Sequence, residues 1–202
     1  MSSNIPNNFL ICDHTDSVAL IKRLIQEAKA QFSANSIEPP KPKFVSETIS
    51  KCKAKGISPE QFRHTAETNN NEMNVIISDI FVDYQAQLAK DHALDFDDLL
   101  SRGLELFKEH QRVLANVKHV LVDEFQDTNT VQYDMVKQMA RKSQALTIVG
   151  DPDQVSSPYS SLRSADSFAE YLWLAIGRSR EPRLYAARLQ ALRSNLPRRE
   201  LP

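Results

Sequence analysis

The first half of the chain has the hydrophobic spacing of a series of amphipathic helices. A short apolar stretch, NFLICD, is predicted to be a strand or an extended lead-in. In the following segment, residues 14–32, apolar side chains recur on one helical face: Val18, Ile21, Ile25, Ala28 and Phe32. Either Thr15 or Asp16 is predicted to cap this helix.

Four further helices are predicted before residue 111. FVSETISKCKAKG is a short helix ending at Gly56, and the next helix starts with Ser58 as cap, Pro59 in its first turn and Gln61 closing a capping box. A long helix over residues 75–93 aligns four apolar-face positions: Ile76, Ile80, Tyr84 and Leu88. In the last helix, DFDDLLSRGLELFKEH, Asp95 is the predicted cap, and four side chains are expected to face a core: Phe96, Leu99, Leu100 and Phe107.

The pattern changes at Val117. VKHVLVD is predicted to be a strand, NTVQYDMVKQMARK a helix, and ALTIVGD a second strand. A strand–helix–strand unit of this length implies parallel strands joined by a right-handed crossover. The fold class is therefore predicted to be α/β, with a helical subdomain followed by part of a parallel sheet.

Composition places few limits on function. The 202 residues are 41% hydrophobic and carry a formal charge of −1, so global charge does not point to nucleic acid. Two cysteines without metal or disulfide spacing fit a reducing compartment, and neither a leader pattern nor a membrane-spanning run is present. We expect no membrane association and an intracellular location.

Carboxylates cluster where each predicted strand ends. Asp123 and Glu124 follow the first strand, and Gly150-Asp151-Pro152-Asp153-Gln154 ends the second. Asp127 suits the ordinary role of a helix cap. The adjacent pair is harder to explain without a cation, because two neighbouring carboxylates repel each other. A Walker-B-type arrangement, in which the Asp holds Mg²⁺ and the Glu activates water, explains the pair.

These segments resemble the UvrD/Rep-type DNA helicases of helicase superfamily 1. VLVDEFQDTNTVQYDMV and TIVGDPDQ resemble that family's motifs II and III, and LDFDDLL resembles a segment just upstream of them. The resemblance implies a RecA-like sheet of the P-loop NTPase type, use of ATP and Mg²⁺, and 3′-to-5′ unwinding of single-stranded or partially duplex DNA. Such a protein would be nuclear in a eukaryote and cytoplasmic in a bacterium.

The same resemblance implies roles for individual residues. Asp123 corresponds to the Mg²⁺ ligand, Glu124 to the catalytic base, and Gln154 to the sensor of the γ-phosphate. Tyr159 and Arg163 correspond to DNA-contacting residues of motif III, although extra residues intervene and Leu162 replaces an aromatic side chain. The acids of DFDDLL, Asp95, Asp97 and Asp98, match the family segment, but we favour the simpler interpretation that they stabilise a helix N-terminus.

The resemblance also suggests three parts. Residues 1–93 resemble the helical insertion subdomain (1B-like), and residues 94–170 a partial RecA-like domain (1A-like). Residues 171–202 form a divergent Arg-rich tail that we expect to be poorly ordered or loosely packed. Its arginines either bind phosphates or mark a shifted reading frame or alternative exon near Val155.

Two expected parts of a helicase have no counterpart in the sequence. None of the four glycines begins a P-loop, so no nucleotide-binding residue is assigned, and no second RecA-like domain is present. The chain is therefore predicted to be an internal piece of a helicase that is inactive alone. The alternatives are a non-catalytic module that binds DNA or a protein, and a gene-model fragment without an independent role.

Overall fold

Helices dominate the part of the chain that the computed structural model describes, which is residues 8–143 and 145–150. The helices are α1 (His14–Glu27), α2 (Lys29–Ala34), α3 (Pro42–Ala54), α4 (Pro59–Thr68), α5 (Glu72–Lys90), α6 (Phe96–Glu109) and α7 (Thr130–Ser143). The strands are β1 (Leu10–Cys12), β2 (Ala93–Asp95), β3 (Val120–Val122) and β4 (Leu146–Ile148). Short 3-10 turns cover Gln111–Leu114 and Phe125–Asp127.

The strands form two parallel pairs, which confirms the α/β class. In the pair β3–β4, Val120 lies opposite Leu146, as the strand–helix–strand pattern predicted. In the pair β1–β2, Leu10 lies opposite Ala93. The pattern did not predict β2, because it occupies only three residues between two strong helical segments.

The main core lies between α1, α3 and α5. It contains the predicted residues of the long helix, all of which are buried: Ile76, Ile80, Tyr84 and Leu88. Phe32 and Val45 close the core from α2 and α3, and both are fully buried. The first predicted helix is divided in two, since Ala28 ends α1 with ψ near 3° before α2 begins.

Local sequence determined most of the helix starts. Ser58 and Gln61 form the predicted capping box of α4, and the Asp95 carboxylate caps α6 by accepting from the Asp98 amide at 2.7 Å. The prediction for α1 was wrong, because Asp13 accepts from the Asp16 amide and starts the helix before Thr15. Phe96 was also wrongly assigned to a core, since it is 59% exposed.

Close packing of α6 on α7 positions the second strand pair. A Cβ at Gly103 of α6 would lie 3.2 Å from the Met135 methyl of α7, so the helices approach closely at this point. Tyr133 of α7 packs with Val122 and Ile148 of the strand pair. Within the described ranges, no helix combines the length and apolar character needed to cross a membrane.

Candidate functional site

The candidate site is the loop that leaves β3. Asp123 and Glu124 follow the strand directly, and both are exposed to solvent. Because β3 and β4 are parallel, their carboxyl ends meet at one edge of the pair. This edge is where ligands bind in open parallel sheets.

Glu124 directly precedes the 3-10 turn Phe125–Asp127. Its backbone is left-handed, with φ 50° and ψ 42°, which is unfavourable for a residue with a Cβ. The Glu124 amide donates to Oδ1 of Asp123 at 2.9 Å, so the two acidic residues are tied together locally. Strained non-glycine residues persist only where the surroundings hold them, and they are concentrated at functional sites.

Phe125 anchors this loop in the core. It is 2% exposed and meets the Tyr133 ring edge to face, with 6.4 Å between ring centroids. The Phe125 amide also donates to the Val149 carbonyl at 3.1 Å, and the Val149 amide donates to the Val122 carbonyl at 2.8 Å. One buried ring therefore fixes a loop whose two preceding carboxylates remain in solvent.

Several predicted residues lie outside the described ranges. Gln154, Tyr159 and Arg163 belong to this group, as do Asp151 and Asp153. The nearest described residue to Gln154 is Gly150. The predicted meeting of Gln154 with Glu124 stays a prediction.

Asp127 does not cap α7, contrary to prediction. It ends the 3-10 turn, and its amide donates to the Glu124 carbonyl at 2.9 Å. Asn129 is the cap instead, since its Oδ1 accepts from the Gln132 amide at 2.9 Å. The Gln132 side chain completes the box by accepting from the Asn129 amide at 3.0 Å. The left-handed residue Glu124 and the 3-10 turn after it separate β3 from α7, so the helix begins only at Thr130.

The chemistry of the loop suits one ligand of a hard cation. An exposed carboxylate at a strand end is a typical partner of Mg²⁺, which keeps several waters and is held by one or two carboxylates plus phosphates. No group of three or more His, Cys, Asp or Glu side chains arranged to hold a metal occurs within the described residues.

The acids of DFDDLL occupy a different environment. Lys53 of α3 lies 2.5 Å from Oδ2 of Asp95 and 2.9 Å from Oδ1 of Asp98, with its side chain only 5% exposed. Ser50 donates to Asp97 at 2.6 Å. These carboxylates bind the helical unit to α6, which supports a structural role.

A hydrogen-bonded chain extends from Asp95 into the core. The Tyr84 hydroxyl lies 3.0 Å from Oδ2 of Asp95 and 2.9 Å from the Ser17 hydroxyl, which is 3.4 Å from Cys12 Sγ. Burial raises the pKa of the Tyr84 phenol, so it stays protonated and can donate. Burial also raises the pKa of the Asp97 carboxyl, although the bond from Ser50 opposes this.

Lys53 was missed by the sequence reasoning. The available clue was its position, since it shares the buried face of α3 with Val45, Ile49 and Cys52. A lysine at a core position needs a buried anionic partner. All five histidines are exposed: His14, His64, His92, His110 and His119.

Comparisons with known proteins match this chain to DNA helicases. The pattern of the UvrD/REP helicase N-terminal domain matches residues 1–166. The ATP-dependent DNA helicase PcrA of Bacillus subtilis is 36% identical over 156 residues, covering 74% of this chain and 20% of PcrA. The ATP-dependent DNA helicase SRS2 of Saccharomyces cerevisiae is 43% identical over 117 residues, covering 56% of this chain and 10% of SRS2.

A second yeast relative extends the match. The ATP-dependent DNA helicase srs2 of Schizosaccharomyces pombe is 34% identical over 161 residues, covering 74% of this chain and 18% of that protein. The chain thus spans between 10% and 20% of the length of these three relatives.

Proposed function

The chain belongs to the UvrD/REP helicase family, and on this premise we propose that it supplies the metal-binding and water-activating carboxylates of an ATP-dependent 3′-to-5′ DNA helicase. ATP, Mg²⁺ and single-stranded or partially duplex DNA are the cofactors and partner that this function requires. The proposal includes an intracellular location.

The observation that carries the proposal is the carboxylate pair on a fixed loop. Asp123 and Glu124 are exposed at the carboxyl edge of two parallel strands, while the next residue, Phe125, is buried. A purely structural pair of acids would gain little from a left-handed backbone held in place by a buried aromatic ring. A pair that must meet a nucleotide and a water gains a defined position.

Each carboxylate has one proposed task. Asp123 would hold Mg²⁺, which when bound neutralises charge on the phosphate oxygens. Glu124, as an exposed carboxylate one residue away, would accept the proton of the attacking water. Gln154 would respond to the γ-phosphate, and Tyr159 and Arg163 would contact DNA, in line with the motif III resemblance.

The proposed division of the chain follows the same resemblance. Residues 1–93 form the 1B-like unit, residues 94–170 the 1A-like unit, and residues 171–202 the tail. The Lys53–Asp95 ion pair crosses the first boundary, so the two units are joined by a buried contact.

The catalytic assignment is tested by exchange into a relative. The segment of Bacillus subtilis PcrA that matches this chain is replaced by the corresponding residues, and DNA-stimulated ATP hydrolysis is measured. We expect turnover that falls by orders of magnitude with Glu124→Gln, whereas the neighbouring Asp127→Asn changes it little. Equal activity of the Glu124→Gln chimera and its parent would contradict the assignment.

The metal assignment is tested on the 202-residue chain itself. Mn²⁺ added in place of Mg²⁺ should broaden the amide NMR signals of residues 122–125, and Asp123→Asn should remove the effect. Asp127→Asn is the matched control, because Asp127 is an exposed acid in the same loop. The 202-residue polypeptide by itself is expected to hydrolyse no ATP with or without DNA, since none of its four glycines begins a P-loop that would place a lysine on the phosphates.

A further inference from the structure

The apolar core of the helical unit stops just before α6. Its buried members extend along the chain from Cys12 of β1 to Ala93 of β2, and within the described residues none of them belongs to α6. In α6 itself, Leu104 is buried in the third turn, whereas Phe96 in the first turn is 59% exposed. Apolar packing therefore contributes little to holding the first turn of α6 against the helical unit.

Three acids make the contact instead. Asp95, Asp97 and Asp98 occupy the cap and first turn of α6, and α3 supplies a partner to each of them. The Lys53 ammonium lies 2.5 Å from Oδ2 of Asp95 and 2.9 Å from Oδ1 of Asp98. The Ser50 hydroxyl donates to Oδ2 of Asp97 at 2.6 Å.

Helix α5 supplies two more donors to the same turn. The Tyr84 hydroxyl lies 3.0 Å from Oδ2 of Asp95, and the Gln85 amide donates to Oδ1 of Asp98 at 3.2 Å. We call the three acids and their four partners from α3 and α5 the polar junction. Its acceptors thus come from four consecutive positions of the chain, while its donors come from two separate helices.

The polar junction fixes α6 in rotation as well as in position. Successive side chains of a helix point about 100° apart, so Asp97 and Asp98 leave the axis of α6 in different directions. Hydrogen bonds are directional, whereas the attraction between apolar surfaces is not. Acids bound on different sides of one turn therefore prevent α6 from rotating against the helical unit.

The orientation of α6 is passed on to the candidate site. A Cβ at Gly103 of α6 would lie 3.2 Å from the Met135 methyl of α7, so the two helices are closely packed. Helix α7 in turn contacts the loop after β3, because Tyr133 packs edge to face on Phe125. The contacts are therefore continuous from the helical unit to the residue that follows the carboxylate pair.

We propose that the polar junction sets the orientation of the helical unit relative to α6, α7 and the loop of Asp123 and Glu124. Its role is orientation rather than net stability, because the cost of removing ions from water offsets most of their attraction, and apolar side chains often replace buried ion pairs without loss of stability. A junction of directional contacts admits one relative orientation, whereas an apolar junction would admit several. The proposal does not depend on whether the carboxylates serve ATP hydrolysis.

Residual dipolar couplings of backbone amides test the proposal on the 202-residue chain. One alignment tensor should fit all the helices of the natural chain, from α1 to α7. The triple variant Lys53→Met, Asp95→Asn, Asp98→Leu removes the charges of the ion pairs, and asparagine preserves the helix cap.

The triple variant should unfold at nearly the same urea concentration as the natural chain, but α1–α5 and α6–α7 should need separate tensors. Their magnitudes should differ by about twofold, because the relative orientation is averaged over several arrangements. A single tensor for the folded triple variant would overturn the proposal, and so would two tensors for the natural chain.

Arg63→Met is the matched control. The Arg63 guanidinium of α4 forms an exposed ion pair with Asp79 of α5, so this variant loses a charged contact between two helices outside the polar junction. One tensor should still fit all its helices. A separation of tensors as large as that of the triple variant would refute a specific role for the junction.

A milder variant decides the case if the triple variant does not fold. Ser50→Ala with Gln85→Ala removes two neutral donors and keeps both ion pairs of Lys53, so we expect the chain to stay folded. Separate tensors with a smaller difference in magnitude are expected. A single tensor for this folded double variant would then overturn the proposal.

Discussion

The ammonium group of Lys53 lies 2.5 Å from a carboxylate oxygen of Asp95, and the two side chains are only 5% and 11% exposed. The contact joins residues that are 42 positions apart in the sequence. It explains how α3, in the helical unit, is fixed to the start of α6.

Removing the Lys53 ammonium group should destabilise the fold. Lys53→Met keeps the aliphatic stem but leaves Asp95 and Asp98 buried without their cation, and we expect a loss of about 3–5 kcal/mol in the free energy of unfolding. Urea denaturation measures it. Arg23→Met, which breaks the exposed Arg23–Glu27 pair, is the control and should have far less effect. Similar losses for both variants would show that the burial of Lys53 has no energetic importance.

Asp97 should make stability depend on pH in the opposite sense to most acids. Burial raises its pKa above the ordinary 3.8, so the folded state binds the proton more tightly than the unfolded state. This contribution to stability is therefore full below pH 3.8 and is lost as pH rises through the raised value.

Asp97→Asn removes that dependence. The variant should gain stability relative to the natural chain as pH rises from about 4 to 7, as measured by urea denaturation across this range. Asp83→Asn, at an exposed position on α5, should show no such gain. A relative loss of stability with rising pH would mean that Ser50 and Lys53 outweigh the burial of Asp97.

Two glycines should respond oppositely to alanine. Gly103→Ala improves helix propensity by about 1 kcal/mol, and among the described residues its added methyl closely approaches only the flexible Met135 methyl, at 3.2 Å, so we expect a net gain. The methyl added by Gly56→Ala meets no atom of the described part of the chain within 4 Å, but the alanine must adopt φ +67°, and we expect a loss of about 1–2 kcal/mol in the free energy of unfolding. Thermal unfolding of both variants tests this. Destabilisation by Gly103→Ala would show that α6 and α7 cannot shift to accommodate the added methyl group.

Glu124 should show a conflict between stability and function. Glu124→Gly relieves the left-handed strain and should stabilise the fold by about 1 kcal/mol, whereas Glu124→Gln should not. Both variants should abolish ATP hydrolysis in the PcrA chimera. Ser36→Gly, at φ 54° in a loop without predicted chemistry, should stabilise without affecting activity. No gain from Glu124→Gly would mean that the carboxylate itself stabilises this backbone.

Local chemistry was the part of the fold that could be predicted. Ser58 with Gln61, and Asp95 with Asp98, are caps between residues three positions apart, and both were foreseen. The position of Asp123 and Glu124 at a strand end followed from an apolar run of clear length. These features depend on contacts within one or two turns of chain.

The predictions that were wrong or missing concern residues whose environment is set by irregular backbone or by distant parts of the chain. The sequence predicts Asp127 as the cap of α7, because a left-handed backbone cannot be inferred for a glutamate such as Glu124. The turn that begins there moves the cap to Asn129. Lys53 lies on the buried face of α3, but its carboxylate partners Asp95 and Asp98 come more than 40 residues later, so the sequence pattern did not reveal the ion pair. Phe96 fitted the helical pattern of α6, yet no described element covers it.

The parallel pairing of β1 with β2 has a consequence for how the helical unit is connected. Leu10 lies opposite Ala93, so the chain enters and leaves this unit on neighbouring strands. The two strands are about 5 Å apart, as in any strand pair. A unit with adjacent ends behaves as a cassette. It can be excised and bridged by a short turn, or transplanted into another loop, without altering the separation between the flanking segments.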